Sequence, residues 1–528
     1  MADEGPVLLG DVVAAAADAD PTARALVAPD GTASSWGALS ADAAAVATLV
    51  DGRVDAGGRV AAVGANHPGW VSLYYGVPTA GRVLVPLNHR LAPAELANQV
   101  ARSGASWVVG DDEQLARLAA AGVDASLLSG WDSLTARDTD ASGAGPLPGL
   151  TSPAALVPSG DPQDPAWLLF TSGTTGTPKG AVLTHASLLA AVAASAGARP
   201  VDPDDVYLFC FPLCHVAGYN VLHRHVHGRP VVLAERFEPA SFCQLVADHG
   251  VTSTSLAATM LASLCTHLDD HPAARSALTS LRVVAYGAAP MPPALLRRAH
   301  DLLDVDFTQG YGMTELSGNA VFLDAAAHRR GLDGDESLLS AAGWAAPGVE
   351  VRTCDPDSGA VVATGEVGEI EVRAPQVMAG YWDDPTATAA TIRNGWLRTG
   401  DLGTLDDTGL LRVVDRAKDV IITGGENVSS REVEDVVLTA PGVAAVAVVG
   451  VADPTWGENV CAVVVPGAGE VVDPDEVVSV VRSRLAGFKT PRHVVVVDAL
   501  PTNAAGKVVK VELRAWLAAD PERVGPRR

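Results

Sequence analysis

Leu168 to His185 reads LLFTSGTTGTPKGAVLTH, an apolar run followed by a crowded set of small hydroxyl residues, two glycines and Lys179. Thr171, Ser172, Gly173, Thr174, Thr175 and Gly176 together offer four hydroxyl donors and a backbone that a ligand can approach closely, which are the materials of a phosphate cradle. The pattern is not a Walker A loop, because Pro178 stands where that motif has Gly before its Lys and no Ser or Thr follows Lys179. A plain Gly/Thr-rich surface turn would share the composition, although not this length and order.

Lysine is scarce enough elsewhere to make each one worth a question. Of 37 basic residues only Lys179, Lys418, Lys489, Lys507 and Lys510 are lysines. A coding bias toward Arg and Ala produces such a shortage by itself. An ammonium can nevertheless meet a single phosphate or carboxylate oxygen end-on, where a planar guanidinium cannot.

The elements that must position these groups read as α/β. Apolar runs at 107–110, 167–170, 205–211, 229–233, 281–287 and 305–312 predict buried strands, and amphipathic stretches at 185–197, 239–249, 257–268 and 292–303 predict helices. The Pro/Ser/Gly-rich run from about 135 to 165 reads as a surface connection, since the alternation resumes after it. From about Gly359 the pattern changes to strands with tight turns, and a small α+β unit follows Asp415, including a helix at about 473–485. The expected architecture is a large N-terminal domain of several mixed α/β subdomains over 1–415 and a small α+β domain over 416–528.

Composition excludes several classes. A net charge of −25 repels a nucleic-acid backbone, and no basic stripe offsets it. No run approaches the roughly 18 apolar residues of a membrane span, and the first 20 residues lack the basic start of a secretory signal. Six scattered cysteines suggest reduced thiols in a cytoplasmic protein.

Five motifs in order carry a resemblance: TSGTTGTPKG (171–180), YGAAP (286–290), QGYGMTE (309–315), WLRTGD (396–401) with DRAKDVIITGGENVSSREVE (415–434), and LPTNAAGK (500–507). Over almost its whole length the chain resembles the adenylate-forming superfamily of acyl-CoA synthetases, nonribosomal-peptide adenylation domains and beetle luciferases. The resemblance implies a two-step reaction: a carboxylate attacks the α-phosphate of ATP to give acyl-AMP and pyrophosphate, then a thiol displaces AMP.

Two anions must therefore meet inside an acidic protein, where at short range their repulsion amounts to several kcal/mol. By the resemblance, Thr171, Ser172, Gly173, Thr174, Thr175 and Lys179 hold the β- and γ-phosphates with Mg²⁺. Thr314 contacts the α-phosphate and Glu315 the Mg²⁺. Tyr311 stacks on adenine, while Gly287, Ala288, Ala289, Pro290, Gln309 and Gly310 line it. Asp401 and Arg416 meet the ribose.

Lys507 matches the lysine that bridges the attacking carboxylate and the α-phosphate, although AAGK alone would read as a solvated hairpin. The small domain then rotates about the residue two after the motif Arg, here Lys418. That rotation brings Gly424, Gly425 and Glu426 to the pantetheine path. Lys489 in GFKTPR is a candidate CoA contact or a solvated charge.

FPLCHVAGYN (211–220) matches the segment that opens the acyl pocket. His215 lies where the family has an aromatic gate between nucleotide and acyl sites, with a core histidine as the competing reading. Val216, Ala217, Gly218, Tyr219, Gly312 and Met313 complete a pocket expected to be apolar and without fixed charge. No acid occurs between Phe209 and Tyr219, where amino-acid-activating relatives place an Asp, so the expected acid is fatty, aryl or bulky alicyclic, with no α-amine.

A zinc cluster of Cys210, Cys214 and His215 with HRHVH (223–227) is disfavoured, because no second Cys pair follows. Among acceptors CoA is favoured, since the Asp401–Arg416 connection is short and no insertion obstructs the CoA route. A carrier-protein thiol is the alternative. A nucleotide-binding protein without activity would be expected to have lost Lys507 or Glu315.

Overall fold

A computed structural model describes residues 6–134, 156, 158, 160–171, 178–287, 291–416, 419–423, 426–453, 456–503 and 506–524. The chain divides into two compact units, one of residues 1–350 with 373–397 and one of 351–372 with 398–528.

The first unit holds two large sheets. One runs in the order Gly380–Tyr381, Lys179–Thr184, Pro165–Thr171, Val83–Leu87, Arg59–Val63, Trp107–Gly110, Leu128–Gly130. Its last five strands are parallel, and the first two are antiparallel additions at one edge. The other sheet has a parallel centre in the order Asp306–Met313, Val283–Gly287, Ser253–Leu256, Tyr207–Phe209, Val231–Leu233, Arg24–Val27. Gly318–Leu323 and Trp344–Ala345 extend it antiparallel beyond Asp306–Met313. Central strands such as Val83–Leu87 and Trp107–Gly110 are buried at every residue, as expected for parallel strands covered on both faces.

The expected helices at 185–197, 239–249, 257–268 and 292–303 form as His185–Ala198, Pro239–His249, Ala258–Asp270 and Pro293–Leu303. Several carry their own start signals. Thr184 Oγ1 accepts from Ser187 N at 3.0 Å while Ser187 Oγ accepts from Thr184 N at 2.9 Å, a reciprocal cap immediately after the Lys179 strand.

In the second unit a sheet in the order Glu350–Cys354, Gly368–Arg373, Trp396–Leu405 continues into Leu411–Arg416. A second sheet runs Glu426–Val428, Ile421–Thr423, Gly457–Pro466, Val443–Asp453, with His493–Val496 parallel to Gly457–Pro466. Strand alternation sorts its residues cleanly. Val448, Val460, Ala462 and Val464 pack with Val433, Val437 and Val481, while Ala447, Val449, Cys461 and Val463 pack with Leu513 and Leu517. Helices Ser430–Val437 and Pro474–Arg484 thus cover one face, and Lys510–Ala518 the other.

All six cysteines are buried free thiols. Among the described residues no helix is long and apolar enough to cross a membrane.

Candidate active site

The hydroxyl-rich loop joins two antiparallel strands whose ends are Thr171 and Lys179, paired in register, with Thr171 Oγ1 donating to the Lys179 carbonyl at 3.4 Å. Arg102 Nη1 fixes the returning strand through the Pro178 carbonyl at 2.5 Å. The short strand Gly380–Tyr381 pairs with Val182 and Ala181 and carries Tyr381 to this edge. The Lys179 ammonium lies 5.1 Å from the Tyr381 ring centroid, and the Tyr381 hydroxyl donates to Glu315 Oε1 at 2.9 Å. Lys179, Tyr381 and Glu315 therefore form one constellation, drawn from three separate stretches of sequence. Burial, and after it the neighbouring Glu315 carboxylate, push the Tyr381 hydroxyl above its ordinary pKa, so it stays protonated as a donor.

Glu315 is buried, and its carboxylate is fixed at Oε1 by the Tyr381 hydroxyl. One hard oxygen donor in the Lys179–Tyr381–Glu315 constellation fits Mg²⁺, which takes one or two carboxylates and completes its shell with water and phosphate oxygens. Among the described residues no cluster of three or more His, Cys, Asp or Glu could hold a metal alone. Burial pushes the Cys210 and Cys214 thiols up to about 12, which leaves them protonated and unsuited to zinc.

Gln309, Gly310, Tyr311, Gly312 and Met313 lie on the strand Asp306–Met313, with Gly287 opposite Gly310 on the parallel neighbour. The glycines are dictated by approach distance. A Cβ on Gly312 would stand 2.0 Å from the Gly318 carbonyl oxygen, and one on Gly287 would stand 2.5 Å from that of Gly310. Thr314 and Glu315 follow in a short 3₁₀ turn that ends at Ser317, whose φ is +54°. The Ser317 hydroxyl donates to Ser187 Oγ at 3.0 Å, and Gln376 Nε2 donates to the Leu316 and Asn319 carbonyls at 2.9 Å each. The Ser317–Ser187 bond ties the Thr314–Glu315 turn to helix His185–Ala198, and Gln376 fastens the same turn to the segment after strand Gly368–Arg373.

The 211–219 segment is held from behind by Asn66, whose Nδ2 donates to the Phe211 and Ala234 carbonyls while its Oδ1 accepts from Leu213 N, each at 2.8 Å. His215, Val216 and Ala217 are half-buried; Gly218 and Tyr219 are fully buried. Gly218 abuts Tyr74, whose hydroxyl donates to the Leu213 carbonyl. A cavity of about 550 Å³ opens beside this segment, lined by Asn66, Arg90, Cys210, Pro212 and Arg236 among others.

In the second unit Asp401 and Arg416 are cross-strand partners, with Nε 2.8 Å from Oδ1. Asp415 next to them is buried and accepts from Ser430 N at 2.6 Å and Ser430 Oγ at 2.8 Å. Lys510 Nζ reaches both Ser430 Oγ at 2.6 Å and Glu434 Oε1 at 2.7 Å. Glu426 is exposed on a hairpin opposite Thr423, and the Lys489 ammonium is engaged by Glu432 at 2.6 Å. Lys507 is exposed at the end of a turn in which Gly506 has φ +78° and Asn503 Oδ1 accepts from Lys507 N at 2.9 Å.

Ser172, Gly173, Thr174, Thr175, Ala288, Ala289, Pro290, Lys418, Gly424 and Gly425 lie outside the described residues. Sequence reasoning missed Tyr381, Gln376, Ser317 and Asp415. Asp415 opens the 415–434 motif and Ser317 lies two residues past QGYGMTE, so the motifs and their edges were the available signal. Nothing local marked Gln376 or Tyr381.

Residues 13–382 match the AMP-binding enzyme family, and 432–507 its AMP-binding enzyme C-terminal domain. The chain is 39% identical over 507 residues to a feruloyl-CoA synthase of Amycolatopsis, covering 94% of this chain and 97% of that protein. It is 36% identical over 509 residues to a 3-[(3aS,4S,7aS)-7a-methyl-1,5-dioxo-octahydro-1H-inden-4-yl]propanoyl:CoA ligase of Mycobacterium tuberculosis, covering 94% and 96%. Among solved structures, o-succinylbenzoate CoA synthetase of Bacillus subtilis with its acyl-adenylate intermediate superposes with TM-score 0.83 at 29% identity, covering 95% and 97%. The amide bond synthetase of Marinactinospora thermotolerans gives 0.84 at 32%, covering 97% and 100%. The chain belongs to the AMP-binding enzyme family and is an AMP-forming acid–thiol ligase of its acyl-CoA synthetase branch.

Proposed function

We propose that the protein converts an aryl or bulky alicyclic carboxylic acid to its CoA thioester in two steps within one pocket, with fatty acids as poorer substrates. The observation that carries the reading is the Lys179–Tyr381–Glu315 constellation beside the glycine strand. It combines a cation for phosphate oxygens, a carboxylate for Mg²⁺ and a donor that fixes that carboxylate. The named substrates of the two CoA ligases at 39% and 36% identity support a ring-bearing acid.

In the first step the hydroxyl loop and Lys179 hold the β- and γ-phosphates, and Thr314 holds the α-phosphate. Mg²⁺, when bound, neutralises phosphate charge. Lys507 steadies the attacking carboxylate and the α-phosphate as the new P–O bond forms and pyrophosphate leaves. Tyr311 and the Gly287–Pro290 turn hold adenine, while Asp401 accepts from the ribose hydroxyls beside Arg416. The domain after residue 415 then turns about Lys418. Gly424, Gly425 and Glu426 come to line the thiol path, with Lys489 as a CoA contact. The thiol attacks the acyl carbon and AMP leaves.

His215 gates the passage between nucleotide and acyl group. Val216, Ala217, Gly218, Tyr219, Gly312 and Met313 form the acyl walls. The reaction is assigned to the cytoplasm, where ATP and CoA are available. A carrier-protein thiol is the second reading, favoured by 34% identity over 475 residues to a fatty acid–[acyl-carrier-protein] ligase of Streptomyces coeruleorubidus.

The test incubates the purified protein with ATP, Mg²⁺, CoA and a panel of fatty, aryl and alicyclic acids, and follows AMP and thioester by mass spectrometry. Thioester with ring-bearing acids is the expected result. Accumulation of acyl-AMP that never reacts with CoA would move the acceptor to a carrier protein.

A further inference from the structure

A buried cation lies behind both proposed acyl walls. Arg199, at the end of helix His185–Ala198, is 7% exposed, yet no carboxylate pairs with it among the described residues. Its Nη2 donates to the Tyr219 hydroxyl at 3.1 Å and to Asn220 Oδ1 at 3.0 Å, its Nε has no partner, and its guanidinium lies 5.6 Å from the Phe322 ring centroid. The buried carboxylate of Asp205 is committed elsewhere, to Arg224 at 2.7 Å and to the Thr252 and Ser253 hydroxyls. Among the described residues, the buried set Arg199, Arg224 and Asp205 carries one net positive charge.

From this cation two hydrogen-bonded arms run forward. Asn220 Nδ2 donates to the Ala217 carbonyl at 2.9 Å, on one proposed wall. On the other side the Tyr219 hydroxyl bonds Asn319 Nδ2 at 3.0 Å, with Ser195 Oγ also 3.3 Å from that hydroxyl. Asn319 is half-buried, pairs in register with Gly312, and lies so close over the glycine strand that a Cβ on Gly310 would be 2.2 Å from its Nδ2. The pocket expected to be apolar throughout is therefore backed by an amide held in the field of a buried guanidinium.

We infer that Asn319 selects acids bearing an oxygen substituent, such as a phenol, methoxy or ketone, over the matching hydrocarbon acids, with Tyr219 and Arg199 as positioning residues. The inference rests on the proposed acyl walls at Ala217 and Gly312. An oxygen brought in by the substrate engages the amide's remaining hydrogen-bonding capacity directly or through one water, whereas a plain ring offers it no partner. A site built to hydrogen-bond a substituent discriminates strongly against the analogue lacking it.

The experiment measures kcat/KM for matched pairs, cinnamic against 4-hydroxycinnamic acid and cyclohexanecarboxylic against 4-oxocyclohexanecarboxylic acid, by acid-dependent AMP release. In the wild type the oxygenated member should be favoured about tenfold or more. Asn319→Leu should bring that ratio close to one. Tyr219→Phe and Arg199→Met should lower it, and Arg199→Lys should restore part of it. A structural role alone would slow both members of a pair equally and leave the ratio unchanged. Equal rates in the wild type, or an unchanged ratio in Asn319→Leu, overturns the inference. Failure of every acid to release AMP overturns the ligase reading on which it rests, and is a different result.

Discussion

At the scale of single residues, the chemistry turns on cations delivered to an acidic protein at chosen points. Lys507 is the clearest case. Its turn is set by Gly506 at φ +78° and by Asn503 Oδ1 accepting from Lys507 N, so a flexible side chain departs from a defined backbone. If that ammonium bridges carboxylate and α-phosphate, its effect belongs to the first half-reaction alone. Lys507→Ala should slow acyl-AMP formation by about 100-fold or more, as loss of a transition-state charge contact does. Conversion of supplied acyl-AMP and CoA to thioester should remain within a few-fold of wild type. Pre-steady-state assays of each half-reaction check this, and equal loss in both would contradict domain alternation.

At the scale of elements, the helix that follows the Lys179–Thr184 strand starts at a buried histidine. Leu9 N donates to His185 Nδ1 at 3.0 Å, tying helix Leu9–Ala19 to the capped start of His185–Ala198. Burial pushes the His185 pKa from 6.5 down to about 4. His328, bonded to the Tyr286 hydroxyl, is pushed to about 4 in the same way. The unfolded chain therefore takes up these protons first. The stabilisation is complete above pH about 6.5 and is lost as pH falls toward 4, about 3 kcal/mol for His185 across that window. Thermal melts between pH 7 and 4 should show a steep fall in Tm. His185→Asn, whose Oδ1 can accept from Leu9 N, should make that fall shallower, with His328 still contributing.

At the scale of the whole molecule, the small domain carries four of the five lysines, and the structure shows different duties for the three it describes. Lys510 is a structural tie to Ser430 and Glu434, Lys489 is engaged by Glu432, and Lys507 lies exposed on its turn. Asp415 bonds Ser430 of helix Ser430–Val437, and Asp419 pairs with Arg514 at 3.0 Å, so anchors stand on either side of Lys418. The proposed rotation predicts a complement to Lys507→Ala. Gly425→Leu should leave acyl-AMP formation near wild type and slow thioester formation by at least tenfold, because only the second step needs that loop to admit a thiol. Single-turnover CoA kinetics with preformed acyl-AMP check it, and unchanged kinetics would remove Gly425 from the thiol path.

The sequence alone determined the parallel cores, because strands buried on both faces must be continuous apolar runs, as in WVVG at 107–110. Amphipathic periodicity determined the helices at 185–197, 239–249, 257–268 and 292–303 as well, and the sequence set the order of the five motifs. The tertiary structure decided what no local pattern encodes. Tyr381 reaches Glu315 across 66 positions of sequence because a two-residue edge strand pairs with Ala181 and Val182. Asp415 reads as an ordinary charged residue until a helix start is packed onto it. Arg199 resembles any of the chain's many arginines until folding buries it with no carboxylate partner among the described residues and aims Tyr219 and Asn319 at the glycine strand. Period and capping are properties of neighbours along the chain, whereas partner choice across strands is fixed only by register, and register is a property of the assembled sheet.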